Sequence, residues 1–372
     1  MGPGSIPCLI LHSPEFASGP MMSPCQSSRC GFTLVTVSRT TGPLRSLMEY
    51  LPVWAVVRLF ALLPPQFGRH LGGLLGWLFF RLHRRLRSVG LRNLALALPE
   101  LPTGEHRSIL LRQYRYLGWH FAAFCRISRK ARQDVASSFR YDGLEHFERA
   151  QAAGKGVLIL TGHFGAWELS SYYHSLMGHP MGLVARRMDN PRLDQLVRSM
   201  RCRHGNWIIP RDQFARGLLE AMHAGRTVGI LMDTNMTPPE GIFVPFFGIP
   251  ACTASGLARI AQRTGAAIVP GFLLWHPEES RYVLHFAPQI TAATTGNRAA
   301  DIEQLTAQCT VVLESWIRRY PDQWLWIHRR WKTRPPGQPP LYGPSAPPAS
   351  PSAARHSSEI RDIPAQEPSH DQ

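Results

Sequence analysis

The sequence predicts an α/β protein with a mixed, largely parallel sheet flanked by helices, preceded by N-terminal amphipathic membrane-associated helices. Beyond residue 140, short β-rich runs alternate with helix-length amphipathic runs, which is typical of α/β crossovers. Before residue 140, apolar runs are interspersed with arginines. With 372 residues, 44% hydrophobic and 18% charged, the chain is long enough for a buried core and has a globular composition.

Composition divides the chain into four segments. The first is rich in Pro, Ser, Gly and Thr and lacks the charged start and apolar core of a signal peptide, so we expect a disordered leader. Met48 opens the first well-patterned segment and is an alternative start codon to the first methionine. The segments are a leader at 1–47, a basic amphipathic helical region at 48–139, an α/β domain at 140–334 and a disordered Pro-rich tail at 335–372.

The net charge of +16 is concentrated in the early helical region. Residues 48–139 hold fourteen Lys and Arg against four acidic residues, a balance of +10, whereas the α/β domain carries +6. A segment that is both basic and apolar suits an anionic membrane surface or an acidic protein partner. Nucleic acid is disfavoured because no helix-turn-helix or RNP-like pattern accompanies the arginines. Seven cysteines without a C-x-x-C pair indicate neither a disulfide framework nor a zinc site, and suggest a reducing compartment.

Residues 51–82 are strongly apolar but interrupted. Arg58 lies in the first run, Pro64 and Pro65 break it, and Arg69 follows. A membrane span needs about 18 uninterrupted apolar residues, so two short helices lying at the membrane interface fit better. The alternative is two amphipathic helices packed on the domain with solvated arginines. A basic rim follows the apolar runs and comprises Arg81, Arg84, Arg85, Arg87 and Arg92.

The remaining elements follow from hydrophobic periodicity. A long helix is predicted at 105–133. Strands are predicted at 157–160, 182–186, 207–210, 227–233 and 267–275, with helices near 167–177, 191–203, 213–223 and 254–263 between them. We further expect an apolar loop at 240–248, an antiparallel partner of the 267–275 strand at 281–290, a helix near 301–319 and a last strand at 324–332.

The stretch TGHFGAWELS at 161–170 carries the main candidate for chemistry. His163 follows a predicted strand, where ligand sites of open α/β sheets gather, and Gly162 and Gly165 permit a sharp turn. Among sixteen histidines, His163 alone has an acidic residue five positions later, Glu168. A turn followed by a helix would let Glu168 accept the ring N–H and leave the other ring nitrogen as a general base. A histidine that merely caps the helix is the alternative.

Competing catalytic devices are missing from the sequence. It contains no G-x-S-x-G elbow, no phosphate-binding G-x-x-x-x-G-K-[ST] loop and no H-E-x-x-H motif. A metal site built on His163, Glu168, His174 and His179 would have poor ligand spacing. We therefore predict neither a metal nor a cofactor.

Four sequence blocks closely resemble the bacterial lipid A biosynthesis acyltransferases, the late or secondary enzymes of the lysophospholipid acyltransferase-like superfamily. In order, they are TGHFGAWELS, VARRMDNPRLDQLVRSMR, GIFVPFFGIPACTASGLARIAQRTGAAIVP and WLWIHRRWKTRP. The resemblance covers about residues 48–335, and the family's His-x4-Asp/Glu motif falls on His163 and Glu168. It implies acyl transfer from an acyl carrier protein thioester to a hydroxyl of a lipid A precursor. It also implies a peripheral or monotopic enzyme at the cytoplasmic face of the cell inner membrane.

The resemblance extends to further residues. Arg186 matches the family's arginine after the second strand and is our candidate oxyanion donor, with a surface salt bridge as the alternative. Asp233 matches a family aspartate that would orient Arg186 or substrate, although Thr234 stands where the family often has glutamine. The substrate-binding candidates are Gly162, Gly165, Arg187, Asn190, Glu240, Gly241, Phe243, Phe246, Phe247, Arg329 and Arg330.

The phenylalanines and the arginines among these candidates each have a predicted role and an alternative to it. The phenylalanines Phe243, Phe246 and Phe247 would line an acyl-chain channel or insert at the membrane, unless they simply pack in the core. Arg329 and Arg330, with Lys332, would meet acceptor phosphates or lipid headgroups, unless they form a solvated basic strand end.

Two other functions remain open from the sequence. An enzyme of the same superfamily could acylate a different glycolipid, such as a phosphatidylinositol mannoside. A protein of another class would be a non-catalytic, basic membrane- or nucleic-acid-binding protein.

Overall fold

A computed structural model of the protein describes residues 42–127, 138–291 and 295–343. Most of the predicted leader and tail, and the end of the helix predicted at 105–133, lie outside these residues. The first helix begins at Pro43, so the last residues of the segment predicted as a leader are helical.

Ten α-helices lie within the described residues. They are α1 (Pro43–Leu62), α2 (Pro65–Leu82), α3 (Arg84–Ala97), α4 (Thr103–Arg126), α5 (Leu144–Ala152), α6 (Trp167–Leu176), α7 (Pro191–Arg201), α8 (Phe214–His223), α9 (Gly256–Thr264) and α10 (Arg298–Arg319).

Nine strands accompany these helices. They are β1 (Phe139–Asp142), β2 (Val157–Thr161), β3 (Met181–Ala185), β4 (Trp207–Pro210), β5 (Thr227–Leu231), β6 (Gly241–Phe246), β7 (Ile249–Ala254), β8 (Ala267–His276) and β9 (Arg281–Phe286).

Seven of the strands form one mixed sheet in the order β1-β9-β8-β2-β5-β3-β4. All neighbouring pairs are parallel except β8 and β9, which are antiparallel. Buried clusters lie on both faces, and all ten residues of β8 are buried, as expected for a strand covered by helices on both sides. The predicted α/β class with a largely parallel sheet is therefore confirmed.

The strands β2, β3, β4, β5 and β8 lie close to their predicted positions, and β9 is the predicted antiparallel partner of β8. The predicted loop at 240–248 is wrong, because β6 and β7 form an antiparallel hairpin. Phe247 and Gly248 form its two-residue turn, both with positive φ (52° and 71°), as a type I′ turn requires. A bulky residue such as Phe247 rarely adopts that conformation, so Phe-Gly is not one of the dipeptides that predict a two-residue hairpin turn.

The strand predicted at 324–332 is also wrong. Trp324 makes only an isolated bridge to Phe164, and the following residues form turns. Short-range bonds from Trp326 N–H to the Trp324 carbonyl and from Arg330 N–H to the His328 carbonyl replace the bonds of a sheet ladder. Both Trp324 and Trp326 are nevertheless buried, so the segment contributes side chains to the core without joining the sheet.

The predicted break between the first two helices is present at Leu63 and Pro64. Helix α2 crosses α4 so closely that a Cβ atom on Gly72 would lie 2.3 Å from the Gly118 carbonyl oxygen. Its other side is exposed, as is much of α1. We call the exposed residues of both helices the helical apolar surface; they include Leu44, Met48, Leu51, Trp54, Leu59, Leu62, Phe67, Leu74, Leu75, Trp77, Leu78, Phe79 and Leu82. In the described part of the chain, no helix has the length and apolar character needed to cross a bilayer.

Candidate active site

The turn between β2 and α6 presents His163 at the centre of the sheet edge, because β2 lies between β5 and β8. Gly165 in this turn has a φ of 59°, and a Cβ atom there would lie 2.1 Å from the Leu273 carbonyl oxygen. The turn therefore requires glycine at this position. A Cβ atom on Gly162 would lie 3.1 Å from the carboxyl group of Asp233. Both predicted glycines thus shape the turn around His163.

Asp233 follows β5 and lies beneath this turn, 2% exposed. Its Oδ2 accepts hydrogen bonds from the His163 main-chain N–H at 2.7 Å and from the Trp324 indole N–H at 2.9 Å. Its Oδ1 lies 2.9 Å from the Nδ1 atom of His163. An ionised carboxylate can only accept hydrogen bonds, so Nδ1 carries the proton and donates it to Oδ1. Nε2 is then left without a hydrogen-bond partner among the described residues.

Burial and charge act in opposite directions on this pair. Burial disfavours the charged form of Asp233, but the charge of His163 and the hydrogen bonds from His163 and Trp324 lower the pKa of Asp233 to about 2. Burial likewise disfavours a protonated His163, yet the charge and hydrogen bond of Asp233, and the charge of Glu168, raise the pKa of His163. The two carboxylates thus stabilise the protonated form of His163 against the opposing effect of burial.

Glu168 does not bond to the histidine ring, and the predicted hydrogen bond between Glu168 and His163 is wrong. Its carboxylate is instead bound by both ends of the Arg201 guanidinium, from Nε to Oε2 at 2.9 Å and from a terminal nitrogen to Oε1. Glu168 lies in the first turn of α6 and Arg201 in the last turn of α7, so the ion pair joins the two helices. Glu168 contributes to the site through its charge, which helps to raise the pKa of His163.

His163, Glu168, Arg186 and Arg201 line one cleft with a volume of about 450 Å³. Its floor is the sheet surface between helices α6 and α7. Ile159 of β2, Gly229 of β5 and Leu183 of β3 lie side by side in register, and Leu231 and Met181 extend the floor in the two strand directions. The cleft therefore combines a charged rim with an apolar floor that lacks a side chain at Gly229.

Arg186 lies at the rim of the cleft and its side chain is 76% exposed. Its nearest carboxylate is that of Asp189, at 3.6 Å, which is a weak surface pair. Arg187 is also exposed and does not line this cleft. Asn190 is buried at the start of α7, where it is bonded to α1 and to α7, so its predicted contact with substrate is replaced by a structural role.

The hairpin candidates lie away from the cleft. Phe246 and Phe247 belong to the main buried cluster, and Phe243 lies part-buried on β6, so the packing alternative holds for the first two. Gly241 begins β6, where a Cβ atom would lie 2.6 Å from the Cys252 sulfur, and Glu240 is exposed beside it. None of the five lines the cleft around His163.

Arg330 is fully buried and cannot meet a phosphate at the surface. Its guanidinium donates to the carbonyls of Thr234 and Cys252 and to the Thr253 hydroxyl. Burial lowers the pKa of Arg330 to about 10, against the charge of Asp233, which raises it. Arg329 is part-buried beside the Tyr342 ring, 5.8 Å from its centre. Arg330 is therefore a structural residue rather than a headgroup ligand.

Two residues of the site were not singled out from the sequence. Arg201 ends the quoted block VARRMDNPRLDQLVRSMR, but only the packing of α7 against α6 brings it to Glu168. Trp324 lies in the segment predicted as the last strand, for which no side-chain partner is predicted. Because a buried indole N–H usually requires an acceptor, its burial could have indicated a polar partner such as Asp233.

One group of possible metal ligands occurs among the described residues, at His276, Glu278 and Glu279. Glu279 already binds the Arg140 guanidinium with both carboxylate oxygens, at 2.6 and 2.9 Å, and the His276 Nδ1 atom lies 2.7 Å from Glu278. This group therefore makes an ion-paired turn, away from the cleft around His163.

Comparison with known proteins identifies the family. The model of the bacterial lipid A biosynthesis acyltransferase family matches residues 42–333. The lipid A biosynthesis lauroyltransferase of Escherichia coli K12 is 29% identical over 78% of this chain and 92% of its own length. The palmitoleoyltransferase of the same strain is 29% identical over 70% and 83%, and its myristoyltransferase 23% identical over 75% and 85%. The chain belongs to the bacterial lipid A biosynthesis acyltransferase family and is an acyltransferase.

Proposed function

We propose that the protein transfers a fatty acyl chain from an acyl carrier protein thioester to a hydroxyl group of a lipid A precursor. The observation that carries this proposal is the fixed orientation of His163. Oδ1 of Asp233 accepts the Nδ1–H of His163 with the two heavy atoms 2.9 Å apart, and Nε2 remains free to accept a proton from a hydroxyl bound in the cleft. The names of the relatives supply the acceptor class.

In this mechanism His163 acts as the general base. Nε2 takes the proton of the acceptor hydroxyl while its oxygen attacks the thioester carbonyl, and Asp233 stabilises the imidazolium that forms. The tetrahedral intermediate then collapses, the C–S bond breaks, and the proton passes from Nε2 to the leaving thiolate. The raised pKa of His163 suits the first half, because it makes Nε2 a stronger proton acceptor.

The oxyanion of the intermediate needs positive charge or hydrogen-bond donors. The turn itself offers none from 163 to 166, because all four main-chain N–H groups are already bonded within the protein. Arg186 is the proposed donor, since it lines the cleft and its weak pair with Asp189 leaves it free to turn inward. Arg201 stays with Glu168, and this ion pair is proposed to hold the rim in place and to tune the charge near His163.

The apolar floor is proposed to bind the acyl chain, in place of the phenylalanines at 243–247. From the level of Thr161 and Leu231 to that of Met181 and Thr227 is four residues along the strands, or about 13 Å at about 3.3 Å per residue. The turn carrying His163 lies beyond the upper end, where the thioester would sit. Met181 is buried at the lower end and would limit chain length.

The helical apolar surface and the arginine rim that follows it are proposed to hold the protein on the cytoplasmic face of the inner membrane. Trp77 and Phe79 are 39% and 47% exposed, and Arg81, Arg84 and Arg85 follow directly in the chain. Apolar residues inserted among acyl chains and arginines near anionic headgroups act together. The same basic character suits the acidic acyl carrier protein as donor.

The test is to incubate the purified protein with acyl carrier protein thioesters and a lipid A precursor in anionic vesicles. We expect transfer by the wild type, a loss of at least about 10²-fold in His163→Ala, and little change in His223→Ala, an exposed histidine at the end of α8. Undiminished transfer by His163→Ala would remove the proposed base. Transfer to a phosphatidylinositol mannoside but to no lipid A precursor would overturn the acceptor while leaving the chemistry.

A further inference from the structure

Asn190 lies at a junction between the helical apolar surface and the cleft. It precedes α7 and is 4% exposed. Its Oδ1 accepts hydrogen bonds from the main-chain N–H groups of Arg192 and Leu193, at 3.0 and 3.3 Å. This is an N-cap, which stabilises the first turn of a helix by satisfying N–H groups that lack intrahelical partners.

The same side chain also binds helix α1. Its Oδ1 accepts a third bond from the Ser46 hydroxyl at 2.8 Å, and its Nδ2 donates to the Ser46 carbonyl at 2.9 Å and to Glu49 Oε2 at 3.0 Å. Ser46 is 2% exposed, although it lies in a helix whose other side is largely exposed and apolar. One amide group therefore connects α1 to α7 with three bonds to the first helix and two to the second.

The chain segments before and after Asn190 both contribute residues to the cleft. The segment before it carries Arg186 and Met188, which line the cleft, and the Met188 N–H is held by Asp194 Oδ1 at 2.9 Å. The helix after it ends in Arg201, which binds Glu168 beside His163. A shift of α1 would therefore be passed through Asn190 to the rim on which Arg186 lies and to the helix that holds Glu168.

We propose that Asn190 is a positioning residue that couples binding of α1 at a lipid surface to the arrangement of Arg186 and Arg201 around the cleft. This inference rests on the proposed membrane association. When α1 is held among lipids, the bonds from Asn190 fix the loop 186–190 and the start of α7. When α1 is free in water, its exposed apolar residues have no fixed partner and the rim is held less firmly. Transfer is thereby favoured at the surface where a lipid acceptor resides.

The substitution Asn190→Asp separates the two roles of this residue. Aspartate caps helix N-termini as well as asparagine does, so α7 keeps its cap. It cannot donate, however, so both bonds from Nδ2 to α1 are lost and its charge would repel Glu49 and the Ser46 carbonyl. Only the bond from the Ser46 hydroxyl remains, and the link to α1 is weakened. Adding Glu49→Gln restores a donor toward the new carboxylate and removes the repulsion. Glu49→Gln alone is the matched control.

Two measurements on the full-length protein test the proposal. The first is hydrogen exchange of the peptide containing Met188, with and without anionic vesicles. We expect vesicles to slow its exchange by about tenfold in the wild type, to have little effect in Asn190→Asp, and to slow it again in the double variant. This measurement requires no turnover, so it remains decisive even if the protein proves inactive on lipid A precursors.

The second is the ratio of transfer rates for acceptor embedded in vesicles and acceptor dispersed in detergent micelles. We expect Asn190→Asp to lower this ratio by about tenfold and Glu49→Gln to restore it in the double variant. An equal loss with both forms of acceptor, with unchanged protection by vesicles, would show that Asn190 is only a local cap and would overturn the coupling. A wild type inactive with both forms would instead refute the proposed function.

Discussion

Replacing Asp233 by asparagine provides the sharpest test of the site, because it changes the tautomer of His163 while preserving the shape of the side chain. Oδ2 accepts two bonds, from the His163 main-chain N–H and the Trp324 indole, so the single amide oxygen is expected at that position. The amide NH₂ then faces Nδ1 of His163. Nδ1 must become an acceptor, the ring proton moves to Nε2, and the proposed base is blocked.

The expected loss is about 10²–10⁴-fold in kcat/KM, the usual contribution of a general base. The pH profile should change as well. In the wild type, activity should rise with pH as His163 loses its proton, with an apparent pKa above the ordinary value of about 6.5, because Asp233 and Glu168 raise it. In Asp233→Asn, burial still lowers the pKa and the main opposing charge is gone, so the residual activity should titrate at lower pH.

Initial rates from pH 5 to 9, measured by mass spectrometry of the acylated acceptor, would provide both quantities. Asp301→Asn is the matched control, because Asp301 is a buried carboxylate that binds Thr295 and does not line the cleft. Glu168→Gln should reduce the rate less than Asp233→Asn and lower the apparent pKa less. A variant Asp233→Asn with near-normal rate and an unshifted profile would refute the reasoning, and would return the supporting role to Glu168.

Three further substitutions test other parts of the structure. Gly229→Val places a side chain on the cleft floor, where even a Cβ atom would lie 2.6 Å from the terminal methyl of Met181. It should lower kcat/KM for the longest accepted acyl chain by about tenfold relative to shorter chains. An equal loss for all chain lengths would contradict the assignment of the floor to the acyl chain. Trp54→Asp should weaken vesicle binding in flotation assays by roughly tenfold or more, whereas Val311→Asp, an exposed apolar position on α10, should not. Arg330→Lys should lower the free energy of unfolding by about 1–3 kcal/mol, because unpaired buried carbonyls remain, while the KM for acceptor in the folded variant stays unchanged.

The sequence predicted most of the sheet because its strands are marked locally. Runs such as VLIL at 157–160 and WIIP at 207–210 are short, apolar and bounded by turn residues, and those features survive in the folded protein as β2 and β4. The β6–β7 hairpin was missed since its turn places Phe247 at a positive φ. That conformation is supported by tertiary contacts, including a bond from the Phe247 N–H to Glu314, which no local pattern reveals.

The sequence pointed to three of the residues that the structure brings together, but not to the way they pair. His163, Glu168 and Asp233 were all singled out, yet the partner of the ring was assigned to Glu168, the carboxylate nearer in sequence. Asp233 is 70 positions away and becomes the partner because β5 lies next to β2 in the sheet. Strand order is a property of the whole fold, so a motif within ten residues could not specify it.

The segment after α10 is synthesised after His163 and Asp233, and it supplies contacts to both of them. His163 and Asp233 leave the ribosome long before Trp324, whose indole binds Asp233, and before Leu325, whose N–H donates to the His163 carbonyl at 3.0 Å. A nascent chain that has passed Asp233 therefore contains both residues of the proposed catalytic pair without two of the contacts that fix them. Competence for acyl transfer is accordingly expected to appear late in translation, after most of the sheet has formed.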